Sequence, residues 1–150
     1  MGRLANTYFS PDRGADDVVI GFIDHCHTEM VVAVYSLTHD GISAAIIRAH
    51  DRGVKVRVLT DSLQASSRYA DDELLDAAGV PLRRDTQTGS MHNKFIVGDS
   101  KGKGLAVLTG SFNFTKSAAQ KNAENFIVLR LQYVAREYLA EFERLWALNK

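Results

Sequence analysis

The segment Met30-Val31-Val32-Ala33-Val34-Tyr35-Ser36-Leu37 constrains the fold more than any other part of the chain. It is mostly apolar and rich in β-branched valine, where a half-exposed strand would alternate. Such a run reads as a strand buried on both faces, so each side of its sheet must be covered. Flanking segments provide helical cover. Residues 14–28 align Val18, Val19, Phe22, Ile23 and Cys26 on one stripe. Residues 42–51 do the same with Ile42, Ala45, Ile46 and Ala49 before Gly53. Residues 54–59 then alternate as a second strand.

The pattern changes further on. A short helix over 71–78, closed by Gly79 and Pro81, leads to a brief strand at 80–84. A strand is expected at 91–97, a flexible turn at 100–104 and strands at 105–109 and 124–129. A last helix over 133–148 turns Val134, Tyr138, Phe142, Leu145 and Trp146 inward. Strand-helix alternation followed by strand-turn-strand predicts an α/β fold, a mixed β-sheet flanked by helices on both faces. No repeat, low-complexity segment or long linker divides the 150 residues, so one domain over 1–150 is expected.

Composition excludes several classes. The chain is 45% hydrophobic and 24% charged, values of a globular protein rather than a disordered one. No apolar run approaches the roughly 20 residues of a membrane span, and no stable membrane association is expected. The first residues lack a signal-peptide core. A cytoplasmic location is therefore expected as read, or a periplasmic or secreted one if a leader was removed. Met1-Gly2 does not complete a myristoylation signal, because position 6 is Asn6. Cys26, the single cysteine, is expected to be a buried, inert thiol. His25, His27 and Glu29 lack further ligands at zinc-like spacing and read as a polar helix end, with no metal or other cofactor implied. His39 and His50 read as surface residues, and Lys55 and Arg57 as the solvated face of a strand.

Net charge is zero, yet unevenly spread. Residues 1–82 hold 7 basic and 12 acidic groups, whereas residues 83–121 hold 7 and 2. The positive block carries the residues best suited to chemistry, and a local positive field would suit an anionic substrate. His92 and Lys94 would project from one face of a strand, since i and i+2 do so. Downstream come Ser111, Asn113 and Glu124. Phosphodiester cleavage needs a nucleophile, donors that neutralise the non-bridging oxygens, and an acid for the leaving oxygen. An imidazole can attack phosphorus and form a covalent intermediate. Lysine, amide and hydroxyl donors can hold the oxygens without a metal. Gly110 is expected where a side chain would obstruct approach to the phosphate.

These residues carry a resemblance. His92-x-Lys94-x4-Asp99 followed by Gly110-Ser111-x-Asn113 resembles the signature of the phospholipase D superfamily. The length, the single copy of the motif and Asn122-Ala123-Glu124-Asn125 resemble its small bacterial endonucleases. Ala33–Thr38 and Arg52–Asp61 are similar as well, so the likeness covers nearly the whole chain. It implies a phospholipase D-like α/β/α sandwich and a metal-independent endonuclease working through a phosphohistidine. His92 would be nucleophile in one subunit and general acid in the other. Lys94 and Asn113 would clamp the phosphate, Ser111 would support the site, and Glu124 would orient the imidazole. Asp99 would be structural. One motif per chain implies a homodimer sharing its active site across the two-fold axis. DNA is the favoured partner over RNA. The segment between Asp99 and Gly110 is longer than usual for the family, which makes Lys101 and Lys103 candidate substrate contacts. Arg83 and Tyr69 are further candidates, Tyr69 by stacking on a base. Two other readings stay open: the same chemistry on phospholipid head groups, for which the sequence shows no exposed hydrophobic rim, and a module that holds phosphate without turnover.

Overall fold

The apolar run forms β2 (Glu29–Val34) at the heart of one seven-stranded sheet in a computed structural model that describes residues 3–150. The Met1-Gly2 start, read above as no myristoylation signal, lies outside the described residues. In chain order the elements are β1 (Ala5–Phe9), α1 (Ala15–Asp24), β2, α2 (Asp40–Asp51), β3 (Lys55–Asp61), α3 (Ser62–Ala65), α4 (Asp72–Ala77), β4 (Leu82–Asp85), β5 (Lys94–Ser100), β6 (Gly104–Gly110), α5 (Lys116–Gln120), β7 (Asn125–Leu129) and α6 (Gln132–Leu148). The strand order is β1-β7-β6-β5-β2-β3-β4. β2–β3 and β3–β4 are parallel, and the other pairs are antiparallel. The expected mixed sheet with helices on both faces is what forms.

β2 shows why both faces need cover. Met30, Val32 and Val34 join Val19, Ile23, Ile42 and Ile46 of α1 and α2 in one core. Val31 and Ala33 point the other way, into a second core with Phe95, Ala135, Phe142 and Leu145 under α6. Full burial of each valine, isoleucine, leucine, methionine or phenylalanine among them is worth about 1.5–3 kcal/mol.

Three expectations need correction here. The motif strand starts at Lys94, not at residue 91. Pairing with β2 begins at Val34–Lys94. The amide of Met91 is taken instead by the Asp61 carboxylate, at 3.0 Å, which holds the chain off the ladder. His39 is buried rather than a surface residue. Its Nδ1 accepts from the Gly41 and Ile42 amides and caps α2, while its Nε2 sits 3.0 Å from Asp16. Arg57 does not lie on a solvated face. It forms a two-pronged pair with Glu143 of α6 and lies over the rings of Phe142 and Trp146.

Asp99 is structural, as the resemblance implied. Its carboxylate accepts from the Thr28 and Glu29 amides at 2.9 and 2.8 Å and fixes the entry into β2. This turn also explains why α1 stops at Asp24 rather than near residue 28. Cys26 is buried among α1 and β5 residues, and burial, reinforced by the Asp99 charge, pushes its thiol up to about 12.

Candidate active site

The sheet's connectivity gathers one set of strand ends. β2, β3 and β6 finish there, and β5 and β7 begin there. Tyr35, Asp61, Lys94 and Ser111 therefore meet at one rim with no long loop needed, at the carboxyl ends of the parallel strands where open α/β sheets build sites.

Lys94 is the centre of the arrangement. Only 8% of it is exposed, an unusual position for a lysine. Its Nζ donates to the main-chain oxygen of His92 at 2.7 Å and lies 3.0 Å from His92 Nδ1. Burial lowers the ammonium below the ordinary lysine range, and the Glu124 charge opposes that. His92 itself is exposed, so its ring faces solvent beside a fixed positive charge. The two residues do share a face, although His92 precedes the strand.

β6 and the turn after it bring the remaining groups. Asn113 Oδ1 accepts from the Ser36 amide at 3.1 Å, which commits the oxygen and leaves its NH2 as the donor for a ligand. Ser111 Oγ donates to Glu124 Oε1 at 2.7 Å, and the Asn125 amide donates back to Ser111 Oγ at 3.1 Å. The Asn122 side-chain NH2 donates to Glu124 Oε2 at 3.4 Å. Within this chain Glu124 thus holds Ser111 rather than the His92 imidazole. The strand order explains it: β6, which ends at Gly110 just before Ser111, stands between β5 and β7. Gly110 is required by its neighbours in the sheet. A Cβ there would run into the Asn125 carbonyl and the Phe126 backbone of β7, so the neighbouring strand alone requires a glycine.

The peripheral candidates divide. Lys101 and Lys103 sit on the β5–β6 turn at the opposite end of the sheet. That end is about 20 Å away along a seven-residue strand at roughly 3.3 Å per residue. They do not join this chain's site. Arg83 is also elsewhere: it donates to the Trp146 carbonyl at 2.6 Å and covers the indole, because β4 turns it toward α6. Arg84 pairs with Asp76. The positive block consequently does not form one field: Arg83 and Arg84 run toward the same end of the sheet on β4 but are tied to Trp146 and Asp76, while Lys94 and the exposed Lys116 and Lys121 of the α5 region have no such carboxylate or carbonyl partner across the sheet among the described residues. Tyr69, 65% exposed, follows α3 on the site side of the sheet.

Sequence reasoning passed over Tyr35. Its ring packs on His92 with centroids 4.6 Å apart, and Lys94 Nζ lies 5.5 Å from the same ring. The signal was available: Tyr35 directly follows Val34, and a strand buried on both faces places its next residue at the rim.

An exposed imidazole, a buried lysine, a free amide and a serine–carboxylate pair lie together at the ends of a mixed sheet, the residues and the fold that a likeness to the phospholipase D superfamily calls for. The residue set and the sheet point to the same place. The chain belongs to the family described as cardiolipin synthase, PLD-like domain, whose model matches residues 19–146. It is 38% identical over 115 residues to the mitochondrial cardiolipin hydrolase of Xenopus tropicalis, covering 77% of this chain and 53% of that protein. It is 35% identical over 144 residues to a phospholipase D of Rickettsia conorii, covering 96% and 70%. The chain thus spans about half the length of the cardiolipin hydrolases it matches. Among solved structures it is similar to Nuc of Salmonella typhimurium, a phospholipase D family member, with a TM-score of 0.89 and 31% identity over 97% of this chain and 95% of that one.

Proposed function

We propose that this chain is a single-domain, metal-independent phosphodiesterase that cleaves nucleic acid, DNA before RNA, through a phosphohistidine on His92. The observation that carries the reading is the buried Lys94 ammonium set against an exposed His92. A cation kept there at a desolvation cost serves an anionic group arriving from solvent. The likeness to Nuc over nearly the whole of both chains supports the small-nuclease format.

In this scheme an imidazole nitrogen of His92 attacks phosphorus and the bond to the leaving oxygen breaks. That oxygen takes a proton from His92 of a second copy, held as imidazolium. Water then attacks phosphorus and the phosphorus–nitrogen bond to His92 breaks, with the now neutral second imidazole accepting the water's proton. Phosphate monoester leaves and both rings are restored. Lys94 and the Asn113 amide hold the non-bridging oxygens, while Glu124 keeps Ser111 in place and supports the charge of Lys94. Two copies are needed because one chain supplies one histidine.

A second reading, lipid head groups as substrate, draws on a specific feature. Leu63 on α3 is 77% exposed and Tyr69 follows it, an apolar rim on the site side of the sheet that the sequence pattern did not reveal. The identity to the cardiolipin hydrolase adds to it.

The test is cleavage in excess EDTA of DNA, RNA and cardiolipin vesicles, comparing wild type with His92→Ala. The expected outcome is nucleic-acid cleavage that survives chelation, is lost in His92→Ala, and leaves acid-quenched protein carrying phosphate on histidine. Loss of activity on chelation would overturn the mechanism, and vesicle hydrolysis alone would select the second reading.

A further inference from the structure

Asp61 is buried at the end of β3, with no cationic partner among the described residues, yet both of its carboxylate oxygens are engaged. Oδ1 accepts from the Met91 amide at 3.0 Å, the residue before His92. Oδ2 accepts from the Leu63 and Gln64 amides, both at 3.2 Å, and so caps the single turn of α3. That turn aims Gln64, whose Nε2 donates to the Tyr35 hydroxyl at 3.1 Å. Tyr35 lies against the His92 ring, and its own amide donates to the Asn93 carbonyl at 2.9 Å. The route from Asp61 to the imidazole therefore closes from two sides. One arm fixes the backbone entering His92, and the other fixes the aromatic wall behind its ring.

We propose that Tyr35 is a positioning residue for the His92 imidazole, held to that task by Gln64 and by the two-armed carboxylate of Asp61. The role rests on the phosphodiesterase reading for its kinetic consequence, but not for its structural one. His92 is exposed, and an exposed imidazole exchanges among several side-chain rotamers unless something walls it in. Tyr35 restricts the ring, and the Gln64 bond restricts Tyr35. The Lys94 ammonium near the same tyrosine face adds a cation–π contact that keeps ring, lysine and histidine in register. Preorganisation of this kind acts on turnover more than on binding, since a misplacement of about 1 Å can cost about 100-fold in rate.

The test compares Tyr35→Leu, Tyr35→Phe, Gln64→Leu and the Tyr35→Phe/Gln64→Leu double variant by three readouts. These are thermal melting, the side-chain NMR resonances of the His92 ring, and kcat and KM on a short DNA duplex in EDTA. Tyr35→Leu should shift and broaden the His92 resonances and lower kcat about 10- to 100-fold with KM within about two-fold. Tyr35→Phe keeps the wall and should lose much less. Gln64→Leu should match Tyr35→Phe, and the double variant should be no worse than either, because both remove one bond. His92 resonances and kcat unchanged in a folded Tyr35→Leu would overturn the inference. The resonances decide the matter even if the wild type cleaves nothing, so failure of the activity and failure of the positioning role are told apart. If Tyr35→Leu does not fold, Gln64→Leu alone must still shift the His92 resonances for the inference to stand.

Discussion

Lys94 is held in an environment that its charge does not prefer. Burial lowers its ammonium below the ordinary lysine range, and the Glu124 charge partly restores it. A buried cation with a lowered folded value is a liability to the fold while charged, and the liability fades as pH rises through that value. Activity runs the opposite way, because a phosphate clamp needs the charge. The alkaline limb of the pH–rate profile is therefore expected below the ordinary lysine value of about 10.4. Glu124→Gln should move that limb to lower pH still, and Lys94→Arg should abolish it while leaving a weaker clamp. A pH–kcat series on the three proteins checks this; a limb that ignores Glu124→Gln would remove Lys94 as its source. Much at this scale was legible in the sequence. His92, Lys94, Ser111, Asn113 and Glu124 come together at one rim because the signature spacing tracks strand ends. What was not legible is direction: nothing in the sequence says that Glu124 meets Ser111, since that depends on β6 lying between β7 and β5.

At the scale of elements, the entry into β2 shows how one carboxylate sets a boundary. Burial pushes the Asp99 carboxyl up, but the Glu29 and Thr28 amides outweigh it and hold the group below the ordinary carboxylate range. A carboxylate lowered on folding adds stability that is present above its unfolded value and is lost as pH falls through the folded one. Asp99→Asn should cost about 1–3 kcal/mol near neutral pH and flatten the acid side of the stability curve. Urea melts of both proteins between neutral pH and the lower carboxylate range provide the measurement. Parallel acid slopes would sink the assignment. Element types were read correctly where periodicity was strong, as in α2, β3, β6 and α6. They were missed where tertiary context supplies the reason for the element. β1 is an edge strand of mostly exposed residues and exists because β7 offers it a partner. α3 is four residues long and is capped by Asp61. α5 packs only Ala118 and Ala119 inward, too small a stripe to stand out.

For the whole molecule, α6 closes the second face of the sheet, and the sole tryptophan rides on it. Arg57 and Arg83 reach from β3 and β4 to Trp146, and Asn149 bonds Asp85 at 2.7 Å. If the two cores under this sheet are one cooperative unit, Trp146 fluorescence and far-ultraviolet dichroism should melt together. Arg57→Ala should lower both midpoints by an amount equivalent to about 1–2 kcal/mol, since it removes a two-pronged pair and two ring contacts. A fluorescence transition that precedes the loss of secondary structure would show that α6 leaves first. Arg57 and Arg83 could not be placed from sequence, because alternation along a strand gives its two faces but not which one a distant helix will cover.

The β5–β6 turn lies at the far end of the sheet from Lys94, and this separation is of practical value. Ser100-Lys101-Gly102-Lys103-Gly104 is an exposed glycine-containing turn, with Gly102 and Gly104 at φ near 73° and 74°. It is joined to the site only through the length of two paired strands. A peptide tag, dye or surface linkage inserted there would leave the rim untouched, which makes the turn a natural handle for tethering the protein with its reactive edge facing outward.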